Sequence, residues 1–134
     1  MTASTQQLAI YPRTGVEELK WFEICPIDYV VPGTGVAALV EEEQIAIIRT
    51  NDGLFAALSN FDPFSEAFVI ARGIVGDRGG VPKIASPIYK QSFSLETGEC
   101  LDDPSVRLAV YLIRVVAGRI QVALPARSPS RGLA

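Results

Sequence analysis

The sequence predicts an all-β fold, a two-sheet sandwich or small barrel of short antiparallel strands, on three observations. No apolar i, i+3, i+4, i+7 pattern persists for three turns without Pro or Gly; Thr14–Lys20 (TGVEELK) comes nearest and is too short for a convincing helix. Short runs rich in Val, Ile and Leu recur instead, each bounded by Gly, Asn, Asp or Pro. The chain also has the right size and composition, with 134 residues, 49% of them hydrophobic and 20% charged. That is enough to bury one core and too apolar to remain disordered.

Taken in order, the elements follow from local chemistry. Residues 1–19 form a polar lead-in, with Ser, Thr and Gln clustered at 2–7. A β domain is expected over 20–124. Lys20–Ile24 (KWFEI) reads as its first strand, Pro26–Val30 as one helical turn, and Pro32-Gly33-Thr34-Gly35 as a loop. Val36–Val40 and Ile45–Thr50 read as strands around Glu41-Glu42-Glu43, whose like charges repel and favour a solvated turn over a ligand cluster. Asn51-Asp52-Gly53 tolerates the positive φ of a tight hairpin and joins Ile45–Thr50 to Leu54–Ser59. Lys83–Ala85 and Ser92–Leu95 read as short strands, and Thr97-Gly98 turns Phe93–Leu95 back onto Glu99–Leu101. Val110–Val116 and Arg119–Leu124 close the domain around Ala117-Gly118, and residues 125–134 are expected to form a loose tail.

Several classes of function are excluded by what the chain lacks. It contains no histidine, which removes Ser-His-Asp and Cys-His catalysis, histidine acid–base chemistry and every histidine metal site. Its two cysteines, Cys25 and Cys100, are too few for a four-cysteine zinc site, a conventional iron–sulfur centre or a disulfide scaffold. The most apolar stretch, Val30–Val40, is broken by Pro32, Gly33 and Gly35, so no membrane span is expected. Met1–Ile10 lacks the features of a secretory signal, which makes the cytoplasm the expected location. Net charge is −3 and the 12 basic residues are scattered, so no nucleic-acid partner is expected.

The remaining constellations have plain structural readings. Gly76-Asp77-Arg78-Gly79-Gly80 lacks the Lys-Ser/Thr ending of a phosphate loop and reads as a glycine-rich hairpin connection. Asp102-Asp103-Pro104 has no calcium-loop spacing and reads as an Asp-stabilised turn. Cys100 reads as a small hydrophobe in a strand. Leu58–Gly73 is different, because Phe61, Phe64 and Phe68 lie in a loop-like stretch around Asp62-Pro63. These rings either plug the domain's own core or form an exposed patch for a partner.

Two segments and their spacing resemble the cluster loops of Rieske iron–sulfur domains. Asn60-Phe61-Asp62-Pro63-Phe64 is similar to the first loop (Cys-x-His) and Ser86-Pro87-Ile88-Tyr89 to the second (Cys-x-x-His), followed by Phe93–Leu101 as a Phe-x-Leu-x-Thr-Gly-x-Cys hairpin. The resemblance covers about residues 20–124. It places Asp62 and Phe64 at the first Cys and His positions and Ser86 and Tyr89 at the second pair. None of these four is a conventional ligand of a [2Fe–2S] cluster, so the resemblance implies a Rieske-like scaffold without its cofactor.

Four blocks in order narrow the likeness: Val31–Leu39, Ser59–Phe64, Arg72–Asp77 and Ser86–Gln91. They resemble the small subunits of assimilatory NAD(P)H-dependent nitrite reductases. That family implies a cytoplasmic, non-catalytic subunit with no cofactor of its own. Its implied partner is a large subunit that carries FAD, sirohaem and a [4Fe–4S] cluster and uses NAD(P)H. On this reading Phe61, Phe64, Ile88 and Tyr89 at the tip of the two loops, rimmed by Arg72 and Lys90, are the expected partner contacts. The opposing expectation is that the rings fold inward to fill the volume a cluster would take. Two other readings stay open: a stand-alone binding or regulatory module, and a mononuclear Mg, Mn or ferric site on Asp62, Ser86 and Tyr89.

Overall fold

The computed structural model describes residues 19–125. The all-β expectation holds, with eleven strands and two short 3-10 turns among the described residues. Six strands form one antiparallel sheet in the order β1-β11-β10-β4-β3-β2. They are β1 (Leu19–Pro26), β2 (Thr34–Val40), β3 (Glu43–Arg49), β4 (Phe55–Ser59), β10 (Val110–Val116) and β11 (Arg119–Pro125). A second sheet contains β7 (Ile74–Arg78), β8 (Val81–Ala85) and β9 (Ser92–Ser94). A two-stranded hairpin, β5 (Phe61–Asp62) with β6 (Ala67–Phe68), lies in the connection from β4 to β7.

The central runs of β3 and β4, Ile45–Ile48 and Phe55–Leu58, are continuously apolar because both of their faces are buried. In β3, Ile45 and Ile47 enter one core with Phe55, Ile113, Ile120 and Val122. Ala46 and Ile48 point the other way, into a second core with Leu58, Ile70, Ile84, Phe93 and Leu95. The six-stranded sheet thus separates the two cores, and the second core seats the loops of interest.

Turn chemistry is borne out where it is local. Gly53 has φ +93° in the β3–β4 turn, and the β10–β11 turn is Ala117-Gly118, both at positive φ. Glu41 and Glu42 make the β2–β3 turn, whereas Glu43 opens β3. Pro26–Val30 contains the expected turn as a 3-10 segment, Ile27–Tyr29. Gly76–Arg78 belongs to β7, a strand absent from the sequence reading, and Gly79-Gly80 alone turns that hairpin. Of the best helical segment, residues 14–18 lie outside the described residues, and Leu19 and Lys20 open β1. Of the expected lead-in, 1–19, and tail, 125–134, all but Leu19 and Pro125 lie outside them, and those two residues belong to β1 and β11.

Candidate functional site

The first loop follows β4, and Asn60 sets its position. This buried side chain accepts the Ala71 backbone N–H at 2.7 Å and donates to Gln44 Oε1 at 3.3 Å. Its own N–H reaches the Gln44 carbonyl at 2.9 Å, and its carbonyl accepts from Ile70 N at 3.1 Å. The 3-10 turn Ile70–Arg72 is thereby fixed beside Gln44 of β3 and the end of β4. The second loop leaves β8 and returns to β9, its ends joined by Ser86 N–H to Gln91 O at 2.9 Å.

The two loops have the same local design. In Asp62-Pro63-Phe64-Ser65-Glu66 the Glu66 N–H closes on the Asp62 carbonyl at 2.7 Å. In Ser86-Pro87-Ile88-Tyr89-Lys90 the Lys90 N–H closes on the Ser86 carbonyl at 3.1 Å. Glu66 and Lys90 adopt φ +60° and +67°. The first side chain of each loop caps its third residue: Asp62 Oδ1 accepts Phe64 N–H at 2.9 Å, and Ser86 Oγ accepts Ile88 N–H at 3.2 Å.

Those same two side chains join the loops. Ser86 Oγ donates to Asp62 Oδ2 at 2.6 Å, and both residues are fully buried. Ser65 Oγ donates to the same carboxylate oxygen at 2.8 Å. Burial pushes the Asp62 carboxyl pKa up, but hydrogen bonds from the Ser86 and Ser65 hydroxyls and the Phe64 and Ser65 amides more than reverse this. The net direction is below the ordinary aspartate value, so Asp62 is a buried, ionised and well-satisfied acceptor. Sequence reasoning weighed Asp62 and Ser86 only as ligands and missed that they serve each other. The available signal was an acceptor-only side chain paired with a donor at equivalent places in two X-Pro-apolar loops.

The aromatic side chains divide between the two expectations. Phe64 is half-buried and packs on Phe93, ring centroids 6.1 Å apart, at the margin of the second core. Phe61 is half-buried against Phe68 at 5.1 Å, and Phe68 is 52% exposed. Ile88 and Tyr89 stand out into solvent at 45% and 59% exposure. Lys90 folds back so that Nζ donates to Pro87 O at 2.9 Å, and Arg72 is exposed at the end of its 3-10 turn.

These residues do not fit a [2Fe–2S] cluster. Phe64 has no donor atom, the Asp62 carboxylate is committed to hydroxyl and amide donors, and neither free cysteine is in the loops. Cys25 packs beside the first core, where burial raises its thiol pKa against the lowering effect of Arg119, and Cys100 is buried in the second. Among the described residues no three His, Cys, Asp or Glu side chains gather into a metal-holding group. The Asp102–Pro104 segment is a structural turn: Asp103 Oδ1 accepts from Ser105, and Asp102 accepts Ser92 N–H at 2.9 Å and Arg78 at 3.2 Å.

A domain of two antiparallel sheets with paired loops of this kind is a Rieske-like scaffold. The family model for the Rieske-like [2Fe–2S] domain matches residues 20–123, and the chain belongs to that family. Its relatives include the nitrite reductase (NADH) small subunit of Salmonella typhimurium, 44% identical over 105 residues, 77% of this chain and 96% of the relative. A crystal structure from Mycobacterium tuberculosis, described as an NADH-dependent nitrite reductase small subunit, superposes with a TM-score of 0.79 at 49% identity. That likeness covers 83% of this chain and all of the other. The nitrite reductase [NAD(P)H] large subunit of Klebsiella oxytoca matches at 36% identity over 119 residues, which are 87% of this chain and 12% of that protein.

Proposed function

We propose that this chain is the non-catalytic small subunit of a cytoplasmic NAD(P)H-dependent nitrite reductase of nitrate assimilation. It binds no cofactor itself and supports a large subunit that holds FAD, sirohaem and a [4Fe–4S] cluster. That large subunit carries out the six-electron reduction of nitrite to ammonia. The observation that carries the reading is the 44% identity extending over 96% of a nitrite reductase small subunit. The donor chemistry of the loops supports a supporting role, since Asp62, Phe64, Ser86 and Tyr89 offer no conventional cluster ligand.

The tip of the two loops is the proposed contact with the large subunit. Ile88 and Tyr89 are its anchors, because they project into solvent from a loop that Ser86 holds through the Ile88 and Lys90 amides. Phe61 and Phe64, half-buried in the first loop, complete the proposed contact, and Arg72 and Lys90 give it a charged rim that steers association. The Klebsiella protein supports a partnership of this kind, because a related domain there shares one polypeptide with the large subunit.

The test is NADH-driven nitrite reduction by the purified large subunit, with and without this chain, together with co-elution on a sizing column. A joint peak and a requirement for the chain are expected. Unchanged turnover without a complex would refute the subunit reading and favour a stand-alone binding module.

A further inference from the structure

We infer that strand β2 (Thr34–Val40) is the edge at which an extended segment of the large subunit joins the six-stranded sheet. The inference rests on the subunit reading and adds to it a second surface with a defined chemistry.

Both ends of that sheet are edge strands, and they are treated differently. β1 carries exposed Lys20 and Glu23, a register irregularity between Glu23 and Cys25, and a terminal proline, Pro26. Charges, bulges and proline are the devices that keep an edge from pairing with a foreign strand. β2 has none of them. Its sequence TGVAALV contains no charge and no proline, and it pairs with β3 in unbroken register from Thr34–Arg49 to Val40–Glu43. On its other side no strand pairs with it among the described residues.

The register shows which groups face outward. Gln44, opposite Leu39, gives its carbonyl to Asn60 on the β4 side, so this pair is not the one bonded across β2 and β3. The N–H and C=O of Leu39 therefore turn outward, and those of Ala37 follow by the two-residue period. The Leu39 side chain is 73% exposed, the highest value among the exposed large hydrophobic residues of the described chain.

Charge at the end of the strand selects the occupant. The turn after β2 is built from Glu41 and Glu42 at φ +51° and +72°, where Asn-Gly would be relaxed. Two exposed carboxylates are thus held beside the open edge at a conformational cost. They fit an apolar extended segment with a Lys or Arg at the end that lies next to them. A second copy fits poorly, because antiparallel self-pairing brings the uncharged Val31-Pro32-Gly33 to the glutamates.

Hydrogen exchange of the full chain, alone and with the purified large subunit, tests the inference. Expected is at least tenfold slower exchange at the Ala37 and Leu39 amides in the complex only. Leu39→Lys is expected to weaken association at least tenfold with an unchanged Tm. Glu41→Asn with Glu42→Gly is expected to raise Tm by about 3–5 °C while weakening association and reducing its salt dependence. A complex that leaves Ala37 and Leu39 exchange unchanged overturns the edge inference and leaves the subunit reading intact. Slow exchange in the dilute free chain, or protection rising with its own concentration, also overturns it by assigning the edge to the chain itself. Absence of any complex overturns the subunit reading and the edge inference together.

Discussion

Replacing Asp62 with alanine tests the hydrogen bond that joins the two loops. The substitution removes the acceptor from the buried Ser86 hydroxyl at 2.6 Å, the Ser65 hydroxyl at 2.8 Å and the Phe64 amide at 2.9 Å. Each bond to an ionised group contributes roughly 1.5–3 kcal/mol, partly recovered where water reaches the freed donors. Ser65 is only half-buried and recovers most, whereas Ser86 recovers least. The expected loss is about 3–4 kcal/mol, which lowers Tm by roughly 10–15 °C in a domain of this size. In a cycle with Ser86→Ala, the Asp62–Ser86 coupling should be about 1.5–3 kcal/mol. The acid dependence has a definite sign. Because the folded-state pKa lies below the ordinary value, the stabilisation is complete above the unfolded pKa of about 3.9 and disappears as pH falls through the folded value. The stability gap between wild type and Asp62→Asn should therefore be constant from neutral pH to about 4 and narrow only below it. Thermal and urea unfolding at several pH values measure all of these quantities. A coupling under about 0.5 kcal/mol, or a gap that closes near neutral pH, would refute an ionised carboxylate as the fastening.

Alanine at Tyr89 or Ile88 should leave stability within about 0.5 kcal/mol of wild type and weaken large-subunit binding roughly tenfold or more, as read by melting curves beside a binding titration. Phe64→Ala should instead cost about 2 kcal/mol, because its ring packs on Phe93; an unchanged Tm would move Phe64 from the core to the contact surface. Gly98→Ala should destabilise by at least about 2 kcal/mol, since a Cβ there would lie 2.1 Å from the Leu108 carbonyl at φ +81°. Urea unfolding measures that loss, and a change below about 1 kcal/mol would contradict the close approach.

What the sequence disclosed was whatever local chemistry determines. Asn51-Asp52-Gly53 and Ala117-Gly118 make turns from their own backbone preferences, and the unbroken apolar runs of β3 and β4 follow from a sheet buried on both faces. β7 was hidden because Ile74-Val75-Gly76-Asp77-Arg78 has weak strand propensity and is held by its pairing with β8. The hairpin β5–β6 was hidden because two residues per strand carry no periodic signal. At the tip, the resemblance supplied the loops, but pairing residues 24 apart required the fold that brings them together. The aromatic cluster was ambiguous for a related reason: Phe64, Phe61 and Phe68 share one stretch of sequence yet grade from core to surface.

A subunit with the non-catalytic role proposed above can raise its partner's turnover only by binding the competent state more tightly than the incompetent one. A tenfold gain at saturation requires about 1.4 kcal/mol of preference, whatever the total affinity. The proposed tip and edge contribute differently under this constraint. If Tyr89 provides affinity common to both states, Tyr89→Ala shifts the midpoint of the activity titration and leaves its plateau intact. A strand added along β2 orders the partner's segment and has reason to distinguish states, so Leu39→Lys should lower the plateau as well. The joined loops and the open edge would then have separate tasks, holding the large subunit and biasing its conformation, and neither task requires a metal in this chain.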